Sequence, residues 1–464
     1  MKPLKILITN NGLMARSGSE LYVRDLALGL LRRGHTPIAY STVLGEVADE
    51  LRRATVPIVD NLDSLSVAPD IIHGHHHLET MTALLRFPSV PAIYLCHGWL
   101  PWEEAPPRFP RILRYLAVDY LCRERLVFEH GIPDERVRVL LNFVDLDRFR
   151  PRPPLPERPR RGLVFSNLVN ERSPSLAALR QACEAHGINL ETIGLEFGAA
   201  HSRPEDVLAN YDIVFAKARA AMEALAVGTS VVLYDRAGLG PMVTSGEFDR
   251  LRSLNFGIRT LGLSSVTADA VGKQISRYDP DDAARVSSRI RAEAGSDGVV
   301  ESLLSLYQEV ISEFRDRVER DVASEGRAAA GYLRWLSPTF KKSVAAEKAQ
   351  AEALEEAERA ATECDQARTI PRAELEKREI LDHLAQALQS NNYLPAIRPI
   401  TPEEMGQAID KIEKLELERD QAQAEMQKMK GTLGWRILRP YGRIKHQVLL
   451  PMLKRLTGRG AAGK

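Results

Sequence analysis

Cysteine is scarce: four residues in 464, at positions 96, 122, 183 and 364, with no CxxC or CxxH spacing. That excludes a disulfide framework and a thiolate zinc site, and it fits buried or idle thiols in a reducing compartment. No apolar run approaches the roughly 20 residues that a membrane-spanning helix needs. The strand-like opening, residues 1–10, is too short for a secretory signal core. Charge imbalance is absent as well: 63 Lys and Arg face 62 Asp and Glu, so nothing global points to nucleic acid as a partner. The expected location is cytoplasmic. With 464 residues, the chain has room for two or three domains.

What is present reads as α/β. Residues 4–9 (LKILIT) are an apolar run of the buried-strand type, and 10–19 form a polar loop with Gly12 and Gly18. Residues 20–33 carry Leu21, Leu26, Leu28, Leu30 and Leu31 mostly at helical spacing and close on Arg32, Arg33 and Gly34. A strand at 37–40 completes a βαβ unit. Its first loop belongs at the carboxyl edge of the sheet, where such folds bind ligands. Residues 70–77 (DIIHGHHH) hold four histidines, at 73, 75, 76 and 77. The spacing is wrong for a helical metal pair and no carboxylate cluster adjoins it, so no metal is expected. Residues 93–97 (IYLCH) again end a strand in histidine. Residues 114–125 read as a helix and 137–141 as a strand. Asp145 and Asp147 form a DxD pair, which ahead of a Pro/Arg-rich stretch reads as a turn or cap without a metal. Residues 151–161 make an extended linker.

Strands at 162–166 and 190–194, with a helix at 175–186 and a short one at 204–210, open a second unit. Residues 212–243 are the most informative stretch. Ile213 to Phe215 form a strand. Lys217 and Arg219 stand where a helix begins, Ala220 to Val227 form that helix, and Gly228 ends it as a C-cap. A strand follows at 230–234, then a turn over 235–241 with Gly238 and Gly240. A helix N-terminus beside two cations suits an anion, because free N–H groups and the helix dipole both favour negative charge. Glu223 is the only carboxylate in the helix. Further helical patterns cover 266–278, 281–293 and 298–314.

This stretch resembles the donor-site segment of the GT-B glycosyltransferases of family 4, where the helix ends in a Glu-Ala-Met-Ala-like run followed by glycine. Here the run is Glu223, Ala224, Leu225 and Ala226, with Gly228 after it. The turn Ser17, Gly18, Ser19, Glu20 is similar to the family's Gly-Gly-Ala-Glu turn, the strand ending at 73–77 to its Val-His-Ala-His, and residues 142–145 to its Pro-Asn-Gly-Val-Asp segment. The resemblance covers roughly residues 1–314. It implies an α/β, GT-B fold of two Rossmann-like domains facing a cleft. Residues 1–150 would be the acceptor side and 162–318 the nucleotide-sugar side, with the last helix of the second domain packing back on the first. It also implies metal-independent, usually retaining transfer of a sugar from a nucleotide-sugar to a hydroxyl of a glycan or lipid-linked acceptor, with no cofactor. In that pattern Glu223 holds the ribose, and the loop carrying Gly238, Leu239 and Gly240 lies near the nucleotide. His97 is the catalytic-side histidine, and Gly18, Ser19 and His75 line the cleft.

Two features depart from the family. Its two diphosphate-gripping cations fall on Asn167 and Arg172, of which only the arginine is a phosphate fork. Either Lys217 or Arg219 compensates, or both are solvated surface charges. The family's first glutamate, eight positions before Glu223, is Phe215 here. These departures favour a rival reading, a non-catalytic GT-B scaffold that keeps nucleotide binding to organise an assembly. A third reading is a nucleotide-sugar epimerase of the same fold.

From about residue 315 the composition changes. Residues 345–369 are rich in Ala and Glu and read as a solvated helix or a disordered stretch, within a helical or coiled-coil extension over 319–430. Met405, Ala408, Ile412, Leu415, Arg419, Ala422, Met426 and Met429 alternate at three and four, a heptad seam. Residues 405–430 thus form either a homodimeric coiled coil or a helix folded on its own chain. Residues 431–464 lack any acidic residue and interleave Trp435, Tyr441 and aliphatic side chains with Arg436, Arg439, Arg443, Lys445, Lys454 and Arg455. That composition suits an amphipathic helix on an anionic membrane surface at the inner face, a docking element, or a plain tail. Residues 431–436 are also similar to the Trp-Arg tail segment of bacterial surface-polysaccharide glycosyltransferases.

Overall fold

The computed structural model describes residues 2–389 apart from 199–200, 202, 263–265 and 317–320. The heptad seam and basic tail expected over 405–464 lie outside the described residues. The chain divides into two compact units, Met1–Tyr332 and Leu333–Lys464.

The first unit opens with β1 (Lys5–Thr9), α1 (Gly18–Arg32), β2 (Thr36–Tyr40), α2 (Glu46–Arg53), β3 (Ile58–Val59), β4 (Ile71–His75) and α3 (His77–Arg86). β5 (Ala92–Cys96), β6 (Ile112–Ala117), α4 (Tyr120–Glu124) and β7 (Val137–Val139) follow. The strands form one parallel sheet in the order β3-β2-β1-β4-β5-β6-β7. The central strands are buried along nearly their whole length, as expected when helices cover both faces of a parallel sheet.

The second sheet is built from β8 (Arg161–Phe165), α5 (Pro174–Ala185), β9 (Asn189–Ile193), β10 (Ile213–Ala216), α6 (Ala218–Val227), β11 (Ser230–Asp235) and β12 (Gly238–Met242). Its order is β12-β11-β10-β8-β9, with β12 antiparallel and the others parallel. Then come α7 (Phe248–Arg252), α8 (Ala268–Ile275), α9 (Pro280–Glu293) and α10 (Ser296–Arg315). α10 returns to the first sheet. Its Val300, Leu303, Leu304, Leu306, Tyr307, Val310 and Ile311 join the first core rather than the second. α11 (Val322–Gln389) carries the chain onward.

Two sequence expectations are corrected. Residues 114–125 are not one helix: 112–117 form β6, hydrogen-bonded between β5 and β7, and the chain turns helical only from Tyr120, as α4 to Glu124 and then as a π-helix over Arg125–Glu129. Leu, Arg and Ala favour a helix locally, but a buried slot between two strands overrides that weak preference. Residues 235–241 are not a simple turn. Only Arg236 and Ala237 turn, and the chain then runs back as β12. α2, α3 and α7, all short, were not foreseen.

Candidate active site

In open α/β sheets the ligand crevice lies at the carboxyl ends of strands where the strand order reverses. In the first sheet that point falls between β1 and β4, and in the second between β8 and β10. Helices α1 and α6, which leave these crevices, meet directly: Asp25 of α1 is ion-paired to Arg219 of α6. The two carboxyl edges therefore face one another within the first unit.

On the first edge, Glu20 is buried and spends its carboxylate on the loop after β1. Oε1 accepts from the Met14 and Ala15 amides at 3.0 and 3.1 Å, and Oε2 accepts from Ser17 at 2.9 Å. This folds the loop over the start of α1, where Gly18 is exposed and Ser19 half-buried. A Cβ on Gly18 would meet nothing within 4 Å, so no close backbone approach demands glycine there.

The β4 histidines form an ordered cluster. His73 and His75, on the same face of the strand, are fully buried, with ring centroids 4.7 Å apart. His73 Nδ1 is 2.5 Å from the Tyr307 hydroxyl, and His75 Nδ1 is 2.7 Å from His97 Nε2 at the end of β5. His76 has φ +59°, an uncommon value for a side-chain-bearing residue. It is held there from two sides. Its Nδ1 accepts from the Asn11 amide at 3.0 Å, and its Nε2 is 3.3 Å from Glu104 Oε1. The other Glu104 oxygen accepts from the His97 amide at 2.8 Å. Burial pushes His73 down to about 3, and His77 and His97 down to about 4, so all three are neutral at pH 7. His97 is half-buried, beside Tyr22 of α1 and close enough to Arg219 to feel its charge. His75 is corrected in one respect: it does not line the cleft surface but lies beneath His97, because alternation along β4 turns it into the core. Among the described residues, no group of three or more His, Cys, Asp or Glu is arranged to hold a metal ion. Asp145 accepts from the Asp147 and Arg148 amides at 3.0 and 3.3 Å, a turn as read from sequence.

On the second edge, the cations at the start of α6 are already engaged. Lys217 is ion-paired to Asp235, whose carboxylate also accepts from Ser166 at 3.2 Å. Arg219 bridges Asp25 and Glu223, reaching Glu223 Oε1 at 2.8 Å. Burial raises the Glu223 carboxyl and Arg219 pulls it back, leaving it above its ordinary value. For Asp25 the balance tips the other way. Burial opposes its charge, but Arg219, Arg24 and Arg148 outweigh it and hold it low. The reading of Lys217 and Arg219 as free phosphate donors or as solvated charges is thus corrected, since both are paired inside the fold.

Asn167 Oδ1 accepts from the Leu195 amide at 3.1 Å, leaving its NH₂ as the donor. Arg172 is exposed, and its guanidinium has no partner among the described residues. Gly238 sits at the carboxyl edge opposite Asp235, whereas Leu239 and Gly240 run down the outer edge of the sheet. A Cβ on Gly238, where φ is +152°, would lie 2.3 Å from the Gly262 carbonyl oxygen, so packing alone requires glycine there. Leu239 and Gly240 also line a groove of about 700 Å³ with Arg250, Thr260 and Lys273.

Sequence reading missed Asp25, Arg148, Glu104 and Arg236. Asp25 carried a signal, being a carboxylate on the apolar stripe of α1 beside Tyr22 and Leu26. Arg236 is exposed at the hairpin tip beside Asp235, and its guanidinium has no partner among the described residues. Glu104 carried none.

Residues 16–148 match the family model Glycosyltransferase Family 4. No curated protein matches the chain. Similar solved structures include a glycosyltransferase from Rickettsia africae, at 13% identity over 67% of this chain and 99% of that one, with a TM-score of 0.46. HepE from Anabaena, in complex with UDP and glucose, is 15% identical over 66% and 99%, with a TM-score of 0.46. A Listeria monocytogenes protein assigned as a UDP-N-acetylglucosamine 2-epimerase is 13% identical over 69% and 100%, with a TM-score of 0.41. Two α/β domains on mainly parallel sheets give the chain a GT-B architecture, and residues 16–148 of its first domain are similar to Glycosyltransferase Family 4.

Proposed function

We propose that this protein transfers a sugar from a nucleotide-sugar donor to a hydroxyl of a glycan or lipid-linked acceptor, without a metal or resident cofactor, and with retention at the anomeric carbon. One observation carries the reading: neutral, half-buried His97 stands where the carboxyl edges of the two sheets meet. A neutral imidazole can hydrogen-bond a phosphate or sugar oxygen at pH 7 without adding charge. Arg172, Arg236 and the Asn167 amide supply the diphosphate contacts, and Gly238 lets the hairpin tip close on the sheet edge. Glu223 Oε1 is taken by Arg219, so its second oxygen is the one to hold the ribose. Gly18 and Ser19 face the acceptor. Residues 405–430 pair two copies, and 431–464 rest on an anionic membrane at its cytoplasmic face, in keeping with surface-glycan synthesis.

The scaffold reading has a specific observation in its favour. With Phe215 fully buried in β10 and Lys217 and Arg219 both paired, the family's sugar-contacting carboxylate has no counterpart at the start of α6. The test is release of nucleoside diphosphate from a panel of UDP-, GDP- and ADP-sugars, with and without candidate acceptors. Release that is acceptor-dependent and lost in His97→Ala supports transfer. Binding without release supports the scaffold, and acceptor-independent interconversion of the sugar supports an epimerase.

A further inference from the structure

His97 offers two ring nitrogens, and which one carries the proton decides whether it gives or takes a hydrogen bond in the cleft. Its Nε2 is committed to His75 Nδ1 at 2.7 Å. Either nitrogen could donate, so the answer must come from the other end of His75. His75 is fully buried, and its Nε2 has no partner among the described residues. A neutral imidazole has one N–H and one lone pair. A buried N–H without an acceptor is rarer and costlier than a buried lone pair without a donor. The proton of His75 therefore belongs on Nδ1, which makes His75 the donor and His97 Nε2 the acceptor. His73 follows the same rule: its Nε2 is likewise buried without a partner, and its Nδ1 faces the Tyr307 hydroxyl.

We propose that His75 is a positioning residue that fixes His97 as the Nδ1–H tautomer, so that His97 meets the cleft as a hydrogen-bond donor and not as a base. The consequence is chemical. A donor suits a sugar or phosphate oxygen of the nucleotide-sugar, whereas removal of the acceptor's proton falls to another group. Protonating His97 would need its Nε2 lone pair, which His75 already fills. The other groups facing His97 are Glu104, which accepts from its backbone amide, His76 stacked at 6.3 Å, the Tyr22 ring at 4.9 Å, and the Arg219 charge. Among the described residues it is His75, and none of these four, that hydrogen-bonds the imidazole. This inference rests on His97 being the residue that meets the donor, and its test needs no substrate.

The test is imidazole ¹⁵N NMR of the full chain labelled at its eleven histidines, with His97 identified by the signal lost in His97→Gln. The expected result at pH 7 is a single neutral tautomer with the proton on Nδ1. His75→Leu should replace it with tautomer-averaged signals. His75→Asn, whose amide can again present an N–H near the Nδ1 position, should restore the single tautomer, which a merely space-filling role would not do. An Nε2–H tautomer or an averaged pair in the unaltered protein overturns the proposal, whether or not either variant folds. Absence of nucleotide-sugar turnover alongside the Nδ1–H tautomer would overturn only the transferase reading.

Discussion

At the scale of residues, the buried histidines make acid the weak point of the first domain. His73 sits at about 3, His77 and His97 at about 4, and His75 well below its ordinary value, all through burial. The sign follows from proton counts. Between an unfolded value near 6.5 and the folded ones, the unfolded chain binds protons that the native chain refuses, so stability falls as pH falls. Each fully buried histidine contributes a slope of about 1.4 kcal/mol per pH unit in that window. His76 works the other way, because burial opposes its charge but Glu104 outweighs burial and holds it above its ordinary value. Four depressed groups outweigh one raised one, so urea unfolding at pH 7.5 and 5.5 should show a net loss of several kcal/mol, reduced in His73→Phe; equal midpoints would contradict it. The histidines themselves stood out in the sequence, but not what they do. Their bonds run to Tyr307, 234 positions away, and to Glu104 across a loop, and no local pattern encodes such pairings.

At the scale of elements, α1 carries two of the first domain's long-range attachments. Its Gly29 lies under α10, where a Cβ would come within 2.8 Å of Val300 Cγ2. Gly29→Ala gains up to about 1 kcal/mol of helix propensity but overpacks a fully buried contact, which typically costs about 1–3 kcal/mol. A net loss in melting temperature is expected, recovered when Val300→Ala is added; if the single variant is more stable, α10 does not dock as described. Asp25 is the other attachment. Asp25→Ala removes the buried carboxylate shared by Arg24, Arg148 and Arg219, which keep Glu50, Glu205 and Glu223 respectively, and should cost no more than about 3–5 kcal/mol by chemical denaturation. Asp25→Glu should cost less, since it keeps the charge. The strands and long helices were legible because buried parallel strands and amphipathic helices leave strong periodic patterns. β6 was misread because Leu, Arg and Ala are ambiguous and its neighbours decide. β12 was missed because two glycines and a proline look like a turn until an edge strand pairs with them.

At the scale of the whole molecule, the GT-B architecture was readable from one end of each domain: the loop and helix after β1, and the α6 helix with its Gly228 cap, where φ is +97°. The electrostatics of the interface were not. Whether Arg219 points to a phosphate or to Asp25 depends on two helices 194 positions apart meeting face to face. Because Lys217 and Arg219 are paired internally, the proposed function assigns the phosphates to Arg172 and Arg236. Arg236→Ala should therefore weaken a nucleoside diphosphate about tenfold while leaving the nucleoside unaffected, read by calorimetry, the loss of roughly one charged hydrogen bond. Equal weakening of both ligands would contradict that role. Glu223→Ala should cost about 1.5–3 kcal/mol of nucleotide affinity on the same scale, and unchanged affinity would remove Glu223 from the site.

The most direct test of the central claim is a thermal-shift screen of the purified full chain against UDP, GDP, ADP and their sugars, with and without EDTA. A ligand that binds only the native state raises the melting temperature by mass action, by about 2.7 kcal/mol of stabilisation at a hundredfold excess over Kd. The account predicts a rise with one nucleotide class, unchanged by EDTA and lost in Glu223→Ala. No rise with any nucleotide would contradict it, and would leave the fold as a scaffold whose working part lies in its C-terminal extension.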